Sequence, residues 1–227
     1  MSHYLIVSEK QWHLELLEQL QQKFPDDQWT LIQSAEHFSV ERLESLNPAK
    51  IFIPHWSRLI PADVYERYEC VVFHMTDLPY GRGGSPLQNL IVRGHTTTKI
   101  CALQVVEKID AGPVYLKHEL DLSGTAREIF DRASKTIGSM IEEIVINQPI
   151  ATPQEGEPTF FSRRKPEESN LQNVKTIQQI YDYIRMLDCE GYPAAFLETK
   201  EARYEFYEAR FDQITNSIEA HVRITKK

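Results

Sequence analysis

The chain has 227 residues, of which 41% are hydrophobic and 26% charged, and its formal net charge at pH 7 is −8. These values are typical of a soluble globular protein with one domain, or one domain and a small annex, that needs no disulfide or metal to stabilise its core. The acidic balance argues against a nucleic acid partner bound through its phosphates.

Cysteine spacing and the N-terminal segment set further bounds. Cys70, Cys101 and Cys189 lie far apart, and no Cys or His cluster has the spacing of a zinc site, so free thiols and no metal are expected. The N-terminal segment lacks the apolar stretch and the preceding positive charge of a signal peptide, and no apolar run has the length of a membrane span. A cytoplasmic location with no membrane partner is therefore expected.

Apolar runs alternate with amphipathic stretches in the first part of the chain. The predicted strands are His3–Ser8 and residues 29–33, 50–54 and Cys70–His74. The predicted helices are WHLELLEQLQQKF, with Leu14, Leu17, Leu20 and Phe24 on one face, then Val40–Leu46, and then residues 86–94 with Pro86 at N1 and Gly94 as cap. This alternation predicts a Rossmann-like α/β layer with a mostly parallel sheet, flanked by helices. Ligand sites in such sheets lie at the carboxyl ends of the strands, where Ser8 and His74 are found.

The middle and the C-terminal part of the chain do not continue this alternation of strands and helices. Residues 98–107 and 113–122 form a predicted strand pair joined by KIDAG, and a helix with a Thr125–Glu128 capping box follows. Residues 148–169 are rich in proline and read as a linker that crosses the surface. A helix capped by Thr176, a hairpin and a last strand at 217–224 complete a small α+β annex. The predicted division is a catalytic domain at 1–150, a linker at 151–164 and the annex at 165–227.

The stretch FHMTDLPYGRGGSP, from Phe73 to Pro86, is the most distinctive in the sequence. Its glycines do not form a P-loop, because the lysine and the spacing of G-x-x-x-x-G-K-[ST] are missing. They do not form a dinucleotide fingerprint either, because that motif follows the first strand, which here continues into SEKQWH. A strand-end histidine taken alone is more often a polar edge residue with satisfied hydrogen bonds, so the residues that flank His74 decide its role.

The residues from His74 to Gly112 resemble the formyltransferase family that uses N10-formyltetrahydrofolate. The resemblance lies in HMTDLP, RGGSPLQ and DAG, which begin at His74, Arg82 and Asp110. It implies that His74 and Asp110 are catalytic and that no covalent nucleophile or metal is needed. When an amine attacks the formyl carbonyl, an oxyanion develops that a histidine can stabilise, and a nearby carboxylate can orient the imidazole and accept a proton. A neighbouring parallel strand is expected to bring Asp110 close to His74.

The sequence departs from the family pattern at Val72. The family has an asparagine there, two residues before the histidine, which helps to hold the oxyanion. A backbone N–H, a bound water or Asn89 are the alternatives that could replace it.

The resemblance also implies binding residues. HWSRLIP, residues 55–61, is similar to the family loop whose backbone grips the pterin ring, and with the glycine loop it gives Trp56, Arg58, Leu59, Ile60, Arg82 and Gly83 as candidate folate contacts. Arg82 is either a solvated loop charge or a partner for a carboxylate or phosphate. The candidate substrate contacts are Ser8, Lys10, Trp12, Thr76 and Asn89. For the first three, the alternative is a helix-start cap with a packed tryptophan.

The annex extends the resemblance to a subgroup. RRKPEESNL and YDYIRMLDCEGYPAAF look like the C-terminal part of bacterial sugar N-formyltransferases, which implies a nucleotide-linked amino sugar as acceptor, UDP-linked and of the pseudaminic-acid pathway, for glycan synthesis. The alternatives are a methionyl-tRNA formyltransferase-like enzyme and a non-catalytic folate- or sugar-nucleotide-binding protein on the same fold. The edge of the annex sheet is a candidate surface for a homodimer.

Overall fold

The computed structural model of the protein describes residues 1–11 and 13–227. The strands, in chain order, are β1 (His3–Ser8), β2 (Gln28–Ile32), β3 (Lys50–His55), β4 (Cys70–His74), β5 (Arg82–Gly83), β6 (Thr97–Gln104), β7 (Val114–Asp121), β8 (Phe160–Phe161), β9 (Ala195–Glu198), β10 (Ala202–Asp212) and β11 (Ser217–Lys226). The α-helices are α1 (His13–Lys23), α2 (Val40–Leu46), α3 (Ala62–Tyr65), α4 (Pro86–Val92), α5 (Ala126–Asn147) and α6 (Ile177–Arg185).

The described residues divide into two compact units that interleave along the chain. The first comprises Met1–Gly83, Thr98–Leu120 and Asp131–Phe160, and the second comprises Gly84–Thr97, Asp121–Phe130 and Phe161–Lys227. The boundaries predicted from composition, at residues 150 and 164, stay a prediction.

The first unit is built on a sheet with the strand order β2-β1-β3-β4-β6-β7. The pairs β1–β2, β1–β3 and β3–β4 are parallel, while β4 and β6 are antiparallel. Continuous apolar runs form the central strands because both faces of the sheet are covered, and Leu5, Ile51 and Val71 are fully buried. The predicted Rossmann-like, mostly parallel α/β fold is confirmed.

Helix α1 buries a different face from the predicted one. Its buried residues are His13, Leu16 and Leu20, whereas Leu14 is 41% exposed. Residues four apart lie on the same face of a helix, so Leu16 and Leu20 share the buried face. Leu14 lies two residues before Leu16 and therefore points away from that face. Leu20 alone is common to the predicted and the observed buried faces.

The second unit contains an antiparallel sheet in the order β11-β10-β9. Thr176 caps α6 by accepting a hydrogen bond from the N–H of Gln179, as the sequence predicts. Helix α6 packs on this sheet, where the rings of Tyr181 and Phe211 stack with centroids 5.8 Å apart. Since β11 has a neighbour on one side, it forms an edge of this sheet.

No helix among the described residues is long and apolar enough to cross a membrane.

Candidate active site

His74 is the last residue of β4 and lies buried at the carboxyl end of that strand. Its Nε2 lies 2.8 Å from the carbonyl oxygen of Gly81, and its Nδ1 lies 3.6 Å from Oδ2 of Asp110. Both neighbours are hydrogen-bond acceptors. The imidazole therefore lies between two acceptor atoms, one on each side of the ring.

Asp110 reaches His74 by a route that differs from the predicted one. Strand β6 runs antiparallel to β4 and places Cys101 opposite His74, so β6 leads away from the histidine. The loop between β6 and β7 then folds back and carries Asp110 to the site. The prediction of a parallel neighbour is therefore wrong, because the sequence does not show the direction in which β6 runs.

Asp110 is held in an uncommon backbone conformation. Its φ is +51°, in the left-handed region that a non-glycine residue rarely adopts, although aspartate tolerates it better than most. Its Oδ2 accepts a 2.8 Å hydrogen bond from the N–H of Gly83. The carboxylate is thus fixed between the glycine loop and the histidine, where it can orient the imidazole and take up a proton.

The guanidinium of Arg82 has a hydrogen-bond partner within the chain. Its guanidinium donates to Oε1 of Gln154 through Nη2 at 2.8 Å and Nε at 3.2 Å. The partner is a neutral carboxamide, so the positive charge of Arg82 is positioned but not neutralised. A half-buried cation beside the glycine loop suits an anionic part of a ligand.

The segment from Trp56 to Ile60 offers unpaired polar groups. Trp56 is half-buried, and its Nε1 is a buried donor without a hydrogen-bond partner among the described residues. Within the same described part of the chain, the N–H groups of residues 57–60 donate to no backbone carbonyl. Leu59 is 77% exposed, and Arg58 forms an ion pair with Glu9 at 3.4 Å. These N–H groups are available as hydrogen-bond donors to a ligand, and the folate contacts predicted for this segment stay a prediction.

Ser8 and Lys10 lie in the first strand-to-helix connection, while Trp12 lies outside the described residues. Ser8 is fully buried; its Oγ lies 2.7 Å from Nδ1 of His13 and accepts a hydrogen bond from the N–H of Lys10 at 3.1 Å. These contacts lie within the strand-to-helix connection itself. His55 is the β3 partner of Ser8 in the sheet register.

The two histidines near Ser8 were missed in the sequence. Burial, helped by the nearby His55 and Lys10, lowers the pKa of His13 to about 3. Burial and Lys10 lower the pKa of His55 to about 4. Both are therefore neutral at pH 7. A histidine in the first turn of an amphipathic helix was the available signal for His13.

Thr76 and Asn89, the remaining candidate substrate contacts, make internal hydrogen bonds. Thr76 is fully buried and donates from Oγ1 to the carbonyl of Gly81 at 3.4 Å. The NH2 group of Asn89, in the second unit, donates to the carbonyls of Gly84, Ser85 and Ser162, and its oxygen accepts from Arg93. The carboxamide of Asn89 is thus committed to holding its own loop.

Gln154 and Thr159 contact the site from the segment that the sequence assigned to a linker. Gln154 Nε2 donates to the carbonyls of Asp110 and Gly112, both at 2.8 Å. Thr159 Oγ1 accepts a 2.7 Å hydrogen bond from the N–H of Gly81. No sequence signal pointed to them, because polar residues between prolines are typical of exposed loops.

No group of three or more His, Cys, Asp or Glu side chains that could hold a metal ion occurs among the described residues.

Two family models match this chain. Residues 7–140 match the model described as Formyl transferase. Residues 166–225 match the model described as the C-terminal domain of methionyl-tRNA formyltransferase. The two matches together cover both the candidate active site and the annex.

Similar proteins of known name include one that matches over its full length. The chain is 44% identical to the solved methionyl-tRNA formyltransferase from Clostridium thermocellum, with 100% of both chains covered and a TM-score of 0.96. It is 26% identical to the methionyl-tRNA formyltransferase of Francisella philomiragia over 82% of this chain and 62% of that protein. It is 28% identical to that of Bacillus cytotoxicus over 71% of this chain and 54% of that protein. The chain thus matches a little over half the length of these two curated relatives.

A sugar N-formyltransferase from a Shewanella species shares the fold alone. The identity is 15%, with 97% of this chain and 96% of that chain covered and a TM-score of 0.70.

These matches correct two predictions. The predicted nucleotide-linked amino-sugar acceptor, with its pseudaminic-acid assignment, is wrong, because the high-identity match is to a methionyl-tRNA formyltransferase. The exclusion of a nucleic acid partner is wrong for the same reason. It rested on the net charge, which sums over the whole chain and does not describe the local surface that meets a phosphate.

Proposed function

Because the chain belongs to the formyl transferase family, we propose that it transfers the formyl group of N10-formyltetrahydrofolate to the amino group of methionyl-tRNA. The predicted enzyme class is confirmed by the family, and N10-formyltetrahydrofolate is the co-substrate of that family. The observation that carries the proposed acceptor is the full-length match to the Clostridium thermocellum enzyme, which includes the annex. The model matched by residues 166–225 supports the same acceptor.

The folate, when bound, supplies an activated formyl group that an amine can attack. The residues that would hold it are the backbone of residues 56–60 and the glycine loop with Arg82. His74 would lie beside the reacting carbonyl and donate a hydrogen bond where negative charge develops.

Asp110 has two tasks in this scheme. Its carboxylate faces Nδ1 of His74 at 3.6 Å and so favours a hydrogen on that nitrogen. It is also the group within the site that can take the proton the amine loses as the new C–N bond forms, directly or through water. No side chain needs to form a covalent bond with the formyl group.

The proposed tRNA acceptor carries negatively charged phosphates, which basic side chains of the protein must contact. With a net charge of −8, contacts to tRNA phosphates must come from local basic side chains. Binding of tRNA is therefore expected to weaken as the salt concentration rises.

The test is a direct comparison of acceptors. Purified protein is incubated with N10-formyltetrahydrofolate and either methionyl-tRNA or a panel of UDP- and dTDP-linked amino sugars, and mass spectrometry is used to look for one added formyl group. We expect formylmethionine on the tRNA and no product in a parallel reaction with the His74→Ala variant. Formylation of a sugar with none on methionyl-tRNA, or no product with any amine, would refute the proposal.

A further inference from the structure

We propose that residues 152–159, here called the strap, hold the two catalytic loops in place and that Gln154 is a positioning residue for the His74–Asp110 pair. The strap lies within the segment that the sequence assigned to a surface linker. The kinetic part of this proposal rests on the proposed function, since formyl transfer is its readout.

The side chain of Gln154 uses its full hydrogen-bonding capacity. Its NH2 group donates to the carbonyls of Asp110 and Gly112, each at 2.8 Å. Its oxygen accepts from Nη2 of Arg82 at 2.8 Å and from Nε at 3.2 Å. A carboxamide has two donor hydrogens and two acceptor lone pairs, so every position is used. One side chain thereby ties the Asp110 loop to the glycine loop.

The loop that carries Asp110 needs such a tie. Asp110 has a φ of +51°, which a free loop would relax. Gly112 passes so close to β6 that a Cβ on it would lie 1.8 Å from the carbonyl oxygen of Gln104. The two carbonyls that Gln154 binds belong to these two residues, so it restrains the loop at its tightest part.

The far end of the strap holds the other side of the pair. Thr159 accepts from the N–H of Gly81 through Oγ1 at 2.7 Å, and its own carbonyl accepts from the N–H of Arg82 at 2.9 Å. The carbonyl of Gly81 is the one that faces Nε2 of His74 at 2.8 Å. Thr159 therefore holds the glycine loop whose Gly81 carbonyl faces Nε2 of His74, while Gln154 holds the loop whose Asp110 carboxylate faces Nδ1.

The strap has a fixed starting point. Thr152 exchanges two backbone hydrogen bonds with Val114 at the start of β7, of 2.8 and 2.9 Å. Gln154 thus follows two residues after an anchored position, and its reach to Asp110 is set by the sheet.

Two substitutions separate the roles of the carboxamide. Gln154→Ala removes all four hydrogen bonds. Gln154→Glu keeps an acceptor for Arg82 but loses the donors to the carbonyls of Asp110 and Gly112. We expect both to lower kcat by about 10- to 100-fold with the KM for folate changed by less than about threefold, since a displacement near 1 Å of a catalytic group costs that much. The matched control is Gln22→Ala, an exposed glutamine on α1, with kcat unchanged.

A double variant tests whether Gln154 acts through Asp110. If it does, the double variant Asp110→Asn with Gln154→Ala should have the same kcat as Asp110→Asn alone, within about threefold. The reason is that both substitutions then disable the same catalytic group, the carboxylate of Asp110. If the fold-losses in kcat of the two single variants multiply in the double variant, Gln154 has a general structural role and the proposal that it positions Asp110 is wrong.

Hydrogen exchange gives a readout that needs no turnover. In the Gln154→Ala protein the amides of residues 105–112 should exchange at least about tenfold faster than in the wild type, while Gln22→Ala leaves them unchanged. Unchanged exchange rates in the Gln154→Ala protein would show that the strap does not hold the Asp110 loop in place. If exchange rises but the wild-type protein formylates no amine, the strap stands and the proposed function fails.

Discussion

Asp110 Oδ2 lies 3.6 Å from Nδ1 of His74, although Asp110 follows a strand that runs antiparallel to the strand that ends at the histidine. The sheet alone would carry the two residues apart. Their approach depends on the turned-back loop between β6 and β7, so it is sensitive to changes in that loop as well as to changes in the pair itself.

The first prediction concerns the pair. His74→Ala and Asp110→Ala should each lower kcat by at least about 10²-fold, because each removes a charged or donor group aimed at the reacting atoms. Steady-state formyl transfer and thermal unfolding are measured together, and folding should stay intact.

A second histidine–carboxylate pair provides the control for these substitutions. His118 Nε2 and Glu143 Oε2 are 3.1 Å apart, and both side chains are about one third exposed. His118→Ala should leave kcat unchanged. An active His74→Ala protein would show that the role of His74 is misassigned.

The second prediction concerns Val72. Its side chain lies on the same face of β4 as that of His74, since side chains alternate along a strand. It also packs against two clusters of buried residues, one around Leu5 and Ile51 and one around Leu78 and Leu103. Val72→Asn should raise kcat by about tenfold or more by adding an oxyanion donor, and should cost about 1 to 3 kcal/mol of stability for the buried amide.

Val72→Ala separates the two effects of that change. It removes packing without adding a donor, so it should lower stability and leave kcat unchanged. A Val72→Asn protein slower than wild type would indicate that another group already serves the oxyanion.

The third prediction concerns pH. The pKa of His13 is lowered from 6.5 to about 3, so below pH 6.5 the unfolded chain takes up a proton that the folded chain does not. The free energy of unfolding should therefore fall as the pH drops, by about 2 kcal/mol between pH 7 and pH 5 from this histidine. In the His13→Gln protein, urea unfolding should show that much less pH dependence.

The control for this measurement is His221→Gln, because the side chain of His221 is 79% exposed. It should leave the pH dependence as in the wild type. An equal pH dependence in wild type and His13→Gln would show that His13 has the same pKa in the folded and the unfolded chain.

The fourth prediction compares two glycines. In Gly112→Ala the new Cβ would meet the backbone of Gln104 at 1.8 Å, so the loop must move. We expect about 1 to 3 kcal/mol lower stability and, because Asp110 moves too, a fall in kcat of about 10²-fold.

Gly94→Ala is the matched case without a link to the site. Its φ is +80° and its surroundings are open, so the cost is about 1 to 2 kcal/mol of backbone strain, with kcat unchanged. Similar losses of kcat in the two variants would contradict a specific role for the Gly112 loop.

Local pattern was enough to predict several elements. The observed bounds of β1, α2 and β4 equal the predicted ones, because each is a short apolar or amphipathic run ended by a polar or capping residue. The Thr125–Glu128 capping box is also present in the structure. The position of His74 at the end of a buried strand was predicted from the same local pattern, whereas its catalytic role was implied only by the family resemblance of the residues around it.

Local sequence pattern could not predict the direction of β6 or the contacts between residues that lie far apart in the chain. The apolar run of β6 has the same periodicity whichever way the strand runs, so the sequence could not show that β6 opposes β4. Gln154 is 44 residues from Asp110, and nothing around it signals a partner that far away. The buried face of α1 was set by packing of Leu16, which lies close to Gly138 of α5.

The strap also sets a lower limit on how short a working fragment can be. A chain that stops after α5 would contain His74, Asp110 and all six strands of the main sheet, yet it would lack both Gln154 and Thr159. During synthesis on the ribosome, the catalytic pair would likewise stay loosely held until residue 159 has emerged. Catalytic competence should therefore appear later than the sheet itself.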